Sequence, residues 1–567
     1  MTQDLGYSNP PSPISYNEST KASTRASAEL HQQCMDLLND LDSFQELLKT
    51  TLRNPQLVEV RQFRSNVSAE MKMLLKLEER IQSQVQKSKE KTEESCDNEL
   101  EDGEKESQPQ PQPPQPIGGT QPDGVDPDVE MRLLHALRSS NLPFYQAVWG
   151  IALNCDGLLA LGKRFYWDGE TKAPWKRGAQ GAGGGNTKQT NKDKRKSVFV
   201  DIVAGDGMEW VKVSTISESR LLFEMAKKGW EADSEDEFSD SGSEAPARRT
   251  VLRNFDGENP DEDDDDDDLE LIKLARDLRK AADDTRVRYK HPRLRVVLPK
   301  IEEGNVPEID DVLAEMRSYG IQVECQENQP AKIGTTDLTR LLPQPYKNFT
   351  SSVNVDCTLL LAMVSDLSHI KNIPLLPSFH KAIVRQIEVD KDMPLLPSEL
   401  WPAMGSRELV CTSEAATRMI EIVNLLGTET EKARTRIVMG QPCEEDEGCQ
   451  SLINRFQALS DHPVPENWKL PINVIDAQPV INACLAEGRL PPVADQVAEG
   501  LSDINYSVFM YGWATGITTI TSNRTIDKQI EATIEKNRRL DEGLEGPVVW
   551  VCDTARSLVG KDRDRKA

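Results

Sequence analysis

The chain has 567 residues, enough for two or more domains, because single hydrophobic cores stop growing well below that length. It carries 68 Lys and Arg against 94 Asp and Glu, and the net charge of −26 argues against a nucleic-acid coat protein or a charge-held membrane protein. Its ten cysteines form no CxxC pair, and we find neither a signal pattern nor a transmembrane-length apolar run. We therefore expect an intracellular protein, cytoplasmic or nuclear, with reduced thiols.

The first 87 residues predict a disordered start followed by a helical hairpin. Residues 1–25 are rich in Ser, Pro and Asn, a composition typical of disorder. Over residues 26–87, apolar residues recur every three or four positions on both sides of a break at 53–55. They are Leu30, Cys34, Leu37, Leu38, Leu41, Phe44 and Leu48, then Val60, Phe63, Val67, Met71, Leu74, Leu77 and Ile81. We expect these stripes to pack inside the chain; the alternative is that they bind a protein partner.

A charged and then Pro- and Gln-rich linker, residues 88–127, precedes a mixed α/β domain at 128–326. The dense apolar and aromatic run up to Trp167 predicts helices. After a flexible basic insertion (168–196), which contains the nuclear-localisation-like KDKRK, the runs SVFVDIVA and MEWVKVS predict a β-hairpin. Alternating helices and strands then end at IQVEC, and residues 327–345 predict a second linker.

An acidic insertion, residues 231–268, interrupts this domain. Ser234 precedes three acidic residues and Ser241 has Glu244 three positions on, so both suit an acid-directed kinase. The alternatives are a solvated acidic loop, or a segment that occupies a basic nucleic-acid groove of the same chain.

Asp201, Glu209 and Lys212 invite comparison with the Asp…(Glu)xLys strands of restriction-type nucleases. Glu209 and Lys212 are three positions apart, however, so they point to opposite faces of a strand. Trp210 occupies the position where an acid is expected, and we interpret the similarity as coincidence.

Residues 346–567 alternate strands with helices, which predicts a parallel sheet with helices on both faces. Asp356 ends the first strand, Asn523 follows a later one, and Asp503 opens the helix between them. Ligands bind outside the carboxyl ends of such strands, so we expect these side chains to converge. Converging carboxylates need a cation, and oxygen ligands suit Mg²⁺ or Mn²⁺, which can activate water for phosphodiester hydrolysis. The alternative is that Asp356 and Asp503 are helix N-caps.

Three stretches carry a family resemblance. VNVDCTLLLAMVS resembles the opening strand and first acidic position of PIN-like nuclease domains, and SDINYSVFMYGWATGITTITSN resembles their later acidic helix and strand. With VVWVCDTARSLVGK at the end, the chain resembles a eukaryotic family with a PIN-like carboxyl-terminal domain. The PIN resemblance covers about residues 346–560.

The resemblance implies that Asp356 is the first metal-binding acid and Asp503 the third. The second acid is expected near Arg418, and Glu421, one turn further on, or Glu414, one turn earlier, can take its place on the same helix face. At the fourth position, where PIN nucleases often have Asp, this chain has Asn523.

Three functions follow as hypotheses. The first is a metal-dependent nuclease acting on single-stranded RNA, and the second is a pseudo-nuclease that keeps the fold and binds nucleic acid without cutting it. The third is an adaptor that uses residues 26–87 and the acidic insertion. Phosphate contacts are expected from Arg524 and from Arg434 with its neighbours Lys432 and Arg436; the alternative for this group is a solvated helix face.

Overall fold

Two five-stranded β-sheets, each with its own helices, organise the chain. The computed structural model describes residues 16–98, 127–167, 196–228, 268–326, 337–375, 377, 379–440, 448–539 and 541–559. The first sheet consists of β1 (Ala160–Trp167), β2 (Lys196–Ala204), β3 (Glu209–Val213), β4 (Arg293–Leu298) and β5 (Ile321–Cys325), in that order. The second consists of β6 (Ser352–Val355), β7 (Glu408–Thr412), β8 (Asn473–Ile475), β9 (Thr518–Thr521) and β10 (Val549–Val551). Its order is β10-β9-β6-β7-β8.

The helices fall into two groups, one for each sheet. Those of the first module (residues 16–341) are α1 (Tyr16–Thr51), α2 (Arg61–Asn98), α3 (Pro127–Arg138), α4 (Leu142–Ala152), α5 (Glu218–Lys227), α6 (Glu270–Asp283) and α7 (Pro307–Ser318). Those of the second module (residues 346–559) are α8 (Cys357–Val364), α9 (Asp366–His369), α10 (Lys381–Asp392), α11 (Trp401–Met404), α12 (Ser413–Leu426), α13 (Glu429–Val438), α14 (Cys449–Gln457), α15 (Ala477–Ala486), α16 (Val493–Glu499), α17 (Asp503–Thr515) and α18 (Arg524–Asn537). No helix in these described ranges is long and apolar enough to cross a membrane.

The helical hairpin is present and packs inside the first module. Its stripe residues Leu41 and Phe44 are fully buried in one core with α3, α4 and one face of the first sheet. The two helices are longer than expected, because α1 begins at Tyr16 and α2 continues to Asn98. Residues 16–25 and 88–98 are therefore helical, whereas the sequence suggested disorder and linker there.

The first sheet is mixed and covered on both faces. β1, β2 and β3 pair antiparallel, while β3, β4 and β5 pair parallel. The hairpin and α4 cover one face, and α5, α6 and α7 cover the other. Two expectations are corrected: residues 160–167 form β1 rather than a helix, and Leu341, in the predicted linker, is buried in the first core.

The second sheet is entirely parallel. The chain builds β6, β7 and β8 outward in one direction, then returns to the other side of β6 to add β9 and β10. This reversal makes the gap between β6 and β9 the topological switch point, where ligands of open α/β sheets bind. Asp356 and Ser522 lie just beyond the carboxyl ends of these two strands.

Two glycines allow α17 to lie closely on this sheet. Gly512 is inside the helix, where an added Cβ would stand 2.0 Å from Thr519 Oγ1 of β9. Gly516 ends the helix in the left-handed region, at a φ of 68°. The unit from Asp503 to Asn523 is thus a helix packed directly on the strand that follows it.

Ion pairs join the two modules at two places. Arg53, between α1 and α2, donates to Asp390 of α10 at 2.5 Å, and the buried Arg556 pairs with the same carboxylate. At the second place Arg286 pairs with Glu542 at 2.5 Å.

Candidate functional site

Asp356 lies at the switch point of the second sheet and is only 2% exposed. Thr358 Oγ1 and Thr521 Oγ1 each donate a hydrogen bond of 2.7 Å to its Oδ2. Among the described residues, no group donates to the other oxygen, Oδ1. The site therefore holds one aspartate rigidly through two neutral hydroxyls and leaves one carboxylate oxygen unpaired. Neither threonine was predicted from the sequence, although Thr358 stands two positions after Asp356.

The end of β9 supplies the polar groups beside Asp356. Ser522 N donates to Thr358 Oγ1 at 3.0 Å, while the buried Ser522 Oγ has no hydrogen-bond partner among the described residues. Asn523 was predicted as a metal ligand, but its Oδ1 accepts from Ile526 N at 3.3 Å and caps α18. That oxygen therefore stabilises the helix.

Asp503 is exposed and is the first residue of α17. Ser507, one turn later, forms a 3.0 Å hydrogen bond with Thr412 at the carboxyl end of β7. This contact places the start of α17 at the carboxyl edge of the sheet, as predicted. Neither aspartate makes a side-chain capping bond: Asp356 occupies the N-cap position of α8 without one, and Ser502 occupies that of α17. By position, then, Asp356 is the N-cap residue of α8, as the capping alternative has it, but its side chain forms no capping hydrogen bond; Asp503 is the first helical residue of α17 and not its N-cap.

The position expected to carry the second acid holds a cation. Arg418 pairs with Glu421 at 3.2 Å, and both side chains are more than half exposed. Burial and then the Asp356 charge raise the pKa of the Cys357 thiol to about 12, and the Arg418 charge opposes them. Arg418 thus lies close enough to act electrostatically on the residue next to Asp356. Glu414, the other substitute, accepts from Ser413 Oγ at 3.2 Å.

The side chains predicted as metal ligands do not fit a divalent-metal site of the kind expected. Mg²⁺ requires near-octahedral oxygen ligation, anchored by one or more carboxylates. Within the described ranges, no three His, Cys, Asp or Glu side chains stand together in a way that could hold a metal ion. Asp356 contributes one free oxygen, Asn523 Oδ1 is used as a cap, and Glu421 is paired with Arg418.

The two arginines predicted to contact phosphate have different surroundings. Arg524 is exposed and pairs with Asp553, which follows β10. Arg434 is 1% exposed, and all three of its guanidinium nitrogens donate to Asp366 or to backbone carbonyls. The prediction of a phosphate contact at Arg434 is therefore corrected, and so is its alternative of a solvated helix face.

Asp527 was missed in the sequence, although it lies in the first turn of α18 beside this edge. Burial, and then the neighbouring Glu531 charge, raise the pKa of Asp527 to about 6. The sequence signal was the spacing of Asp527, Glu531 and Glu535, which places three carboxylates along one helix face.

In the first sheet, Asp201 and Lys212 form a buried pair at 3.1 Å, and Val213 N also donates to Asp201. Burial raises the pKa of Asp201 in spite of these partners. Glu209 does not join them, because it pairs with Arg295 at 3.0 Å. The arrangement is that of a structural ion pair.

A cavity of about 640 Å³ lies in the first module, away from Asp356. It is bordered by α1, α4 and β4, and its lining includes Asp40, Trp149, Arg295 and Arg340. Arg295 and Arg340 are already paired with carboxylates, so the cavity presents no free cation among the described side chains. The predicted phosphorylation sites Ser234 and Ser241, and most of both insertions, lie outside the described residues.

Comparisons with protein-family models, with curated proteins and with solved structures found no match to this chain.

Proposed function

We propose that the second module is a PIN-like domain that binds single-stranded RNA without cutting it. Its support is the strand order, which runs outward from β6 in both directions, with Asp356 and the Thr521–Asn523 turn at the switch point. These are the positions at which the PIN resemblance puts the first and fourth site residues.

The observation that carries the non-cutting part of the proposal is Arg418. Two-metal or one-metal hydrolysis needs several converging carboxylates to hold the ion that activates water. Here a guanidinium stands where the second acid is expected, and the nearby Glu421 carboxylate forms an exposed ion pair with it at 3.2 Å. The Arg418 charge opposes the Asp356 charge at Cys357, and it weakens the attraction of the site for Mg²⁺ or Mn²⁺ and adds attraction for a phosphate.

RNA contacts come from the exposed cations and helix starts at the carboxyl edge. Arg418 and Arg524 are each paired with one exposed carboxylate, and such pairs are worth at most about 1 kcal/mol, so a phosphate can compete for them. The backbone N–H groups at the starts of α12 and α18 add a partial positive charge at the same edge.

The proposal is tested with the full chain and a fluorescein-labelled single-stranded RNA. Anisotropy measured with EDTA and with Mn²⁺ is expected to give the same affinity, and denaturing gels are expected to show no Mn²⁺-dependent products. Arg418→Gln and Arg524→Gln are each expected to weaken binding, whereas Arg489→Gln, a control at an exposed arginine that follows α15 and pairs with Glu487, is expected to leave it unchanged.

Two outcomes would overturn the proposal. Mn²⁺-dependent cleavage that disappears in both Asp356→Asn and Asp503→Asn would establish the metal-dependent ribonuclease instead. If the wild-type chain does not bind RNA, both the RNA-binding proposal and the ribonuclease hypothesis are wrong. The adaptor hypothesis, for its part, cannot use the hairpin stripe in this conformation, because Leu41 and Phe44 are fully buried.

A further inference from the structure

An aromatic and basic surface lies on β1 and β2 of the first sheet. In their antiparallel register, Arg164 lies opposite Phe199, and Tyr166 lies opposite Ser197. These four residues share one side of the pair and are named here the β1–β2 face. Tyr166 is 55% exposed and Phe199 is 41% exposed. Large aromatic side chains so exposed on neighbouring strands are not needed for the core.

The ring of Phe199 is held in a fixed position. It lies over Gly162, where an added Cβ would stand 2.9 Å from the ring and where φ is 82°. The Arg164 guanidinium is 5.9 Å from its centroid and the Lys212 ammonium 5.5 Å. The ring is therefore oriented by the glycine and flanked by two cations.

Tyr166 and Phe199 form a diagonal cross-strand pair, whose backbone positions are roughly 7–8 Å apart. Proteins that bind single strands use such rings as platforms, one base to each ring, with cations along the backbone path. An acidic peptide would use the cations but does not need two exposed aromatic side chains on neighbouring strands.

The surrounding charge favours a polyanion. Arg164 donates to the neutral Ser197 Oγ at 3.2 Å rather than to a carboxylate of the described residues. In the sequence, residues 168–195 between β1 and β2 carry seven Lys and Arg against three Asp and Glu.

We propose that the β1–β2 face binds two neighbouring bases of single-stranded RNA by stacking them on Tyr166 and Phe199. This inference rests on the proposed RNA-binding function and deepens it, because it gives the RNA a second contact surface in the first module. A phosphate beside the stacked bases pairs with Arg164, whose side chain lies on the same side of the strands.

The test uses the full chain, fluorescein-labelled single-stranded RNA and anisotropy at one fixed salt concentration. Tyr166→Leu and Phe199→Leu are each expected to weaken binding by roughly five-fold or more, the loss typical of one base–aromatic stack. Tyr166→Phe keeps the ring and is expected to bind like the wild type. Phe223→Leu, at a 72% exposed aromatic position of α5, is the matched control and is expected to change nothing. Circular dichroism checks the fold of each variant. If loss of the Phe199 ring over Gly162 unfolds Phe199→Leu, the test depends on Tyr166→Leu alone.

The outcomes separate this inference from the proposed function. If wild-type RNA binding is unaffected by Tyr166→Leu and Phe199→Leu but is weakened by Arg418→Gln, the proposed function stands and the β1–β2 face is not an RNA surface. If the leucine variants instead lose binding of a labelled polyglutamate peptide while RNA binding is unchanged, the face is a protein-docking surface and the inference is overturned. If wild type binds no RNA, both proposals are wrong.

Discussion

Replacing Arg434 with methionine separates a structural role for this arginine from a role in RNA binding. The guanidinium donates to Asp366 Oδ1 at 2.7 Å, to Val364 O at 2.9 Å, and to Leu459 O from two nitrogens at 2.9 and 2.6 Å. Methionine fills much of the same volume but donates nothing. The substitution therefore leaves a buried carboxylate and two buried carbonyls without these donors.

The expected cost follows from these contacts. Removing one partner of a buried ion pair typically destabilises a protein by about 3–5 kcal/mol, mostly because the remaining charge is left uncompensated. Hydrogen bonds from Thr428 and Thr430 still reach Asp366, so we expect the lower end, about 3 kcal/mol. Arg436→Met, two positions along the same helix and exposed, is expected to stay within about 0.5 kcal/mol of wild type.

The dependence on pH gives a second readout. Burial alone would raise the pKa of Asp366, but hydrogen bonds from Thr428, Thr430 and Arg434 hold it below the ordinary 3.8. The wild-type ion pair therefore contributes stability that is lost only as the pH falls through that lowered pKa. In Arg434→Met the pKa of Asp366 rises, so protonation relieves the unpaired charge and the difference from wild type narrows on acidification.

Urea unfolding followed by tryptophan fluorescence, at neutral pH and at pH near 4.5, measures both effects, with RNA anisotropy run in parallel. The double variant Arg434→Met/Asp366→Asn is expected to be less destabilised than the sum of the single variants, because neither partner is left charged. If Arg434→Met is as stable as Arg436→Met but loses RNA affinity, the guanidinium serves RNA and the structural reasoning is refuted.

Three further substitutions test other parts of the structure. Asp527→Asn is expected to stabilise the protein by on the order of 1 kcal/mol at neutral pH, because ionising this half-buried carboxylate, whose pKa is about 6, opposes folding. Melting temperatures should show this gain in stability fading between pH 6 and 4. A gain that does not depend on pH would contradict the prediction. Gly512→Ala is expected to lower the free energy of unfolding in urea by about 1–3 kcal/mol, because its Cβ would stand 2.0 Å from Thr519 Oγ1. Adding Thr519→Ala should recover part of this loss. If it recovers nothing, the destabilisation does not come from the contact with Thr519. Phe44→Ala is expected to destabilise the first module by about 3–5 kcal/mol, because Phe44 is fully buried against Trp149. Unchanged thermal stability would contradict this packing and favour the alternative that the apolar stripe of the hairpin binds a protein partner.

Sequence periodicity predicted the described strands of the second sheet because each is a short apolar run between turn signals. The alternation of strands with helices also indicated that they are parallel, and hence that Asp356 and Asn523 lie at one edge. β1 was misassigned because ALGKRFYW has no strict alternation and contains Gly162, which adopts a positive φ of 82°.

Side-chain roles at the site were harder to predict than strand positions. Charged residues on an amphipathic helix are exposed by default, so nothing local marked Arg434 as buried; its partner Asp366 is 68 residues away. The hydroxyl of Thr521 reaches Asp356 from another strand, 165 positions distant. Such contacts depend on strand order, which the sequence alone did not give.

RNA binding by a chain of net charge −26 requires that the negative charge be segregated. Residues 231–268 carry 17 Asp and Glu against 3 Arg, so this insertion contributes 3 − 17 = −14 and the rest of the chain −26 + 14 = −12. The proposed contacts at Arg164, Arg418 and Arg524 therefore lie in parts of the chain much nearer neutrality. Added salt screens the attraction of RNA to these arginines and also its repulsion from the insertion. The two effects oppose each other, so the affinity falls less steeply with salt than the number of phosphate contacts alone would give.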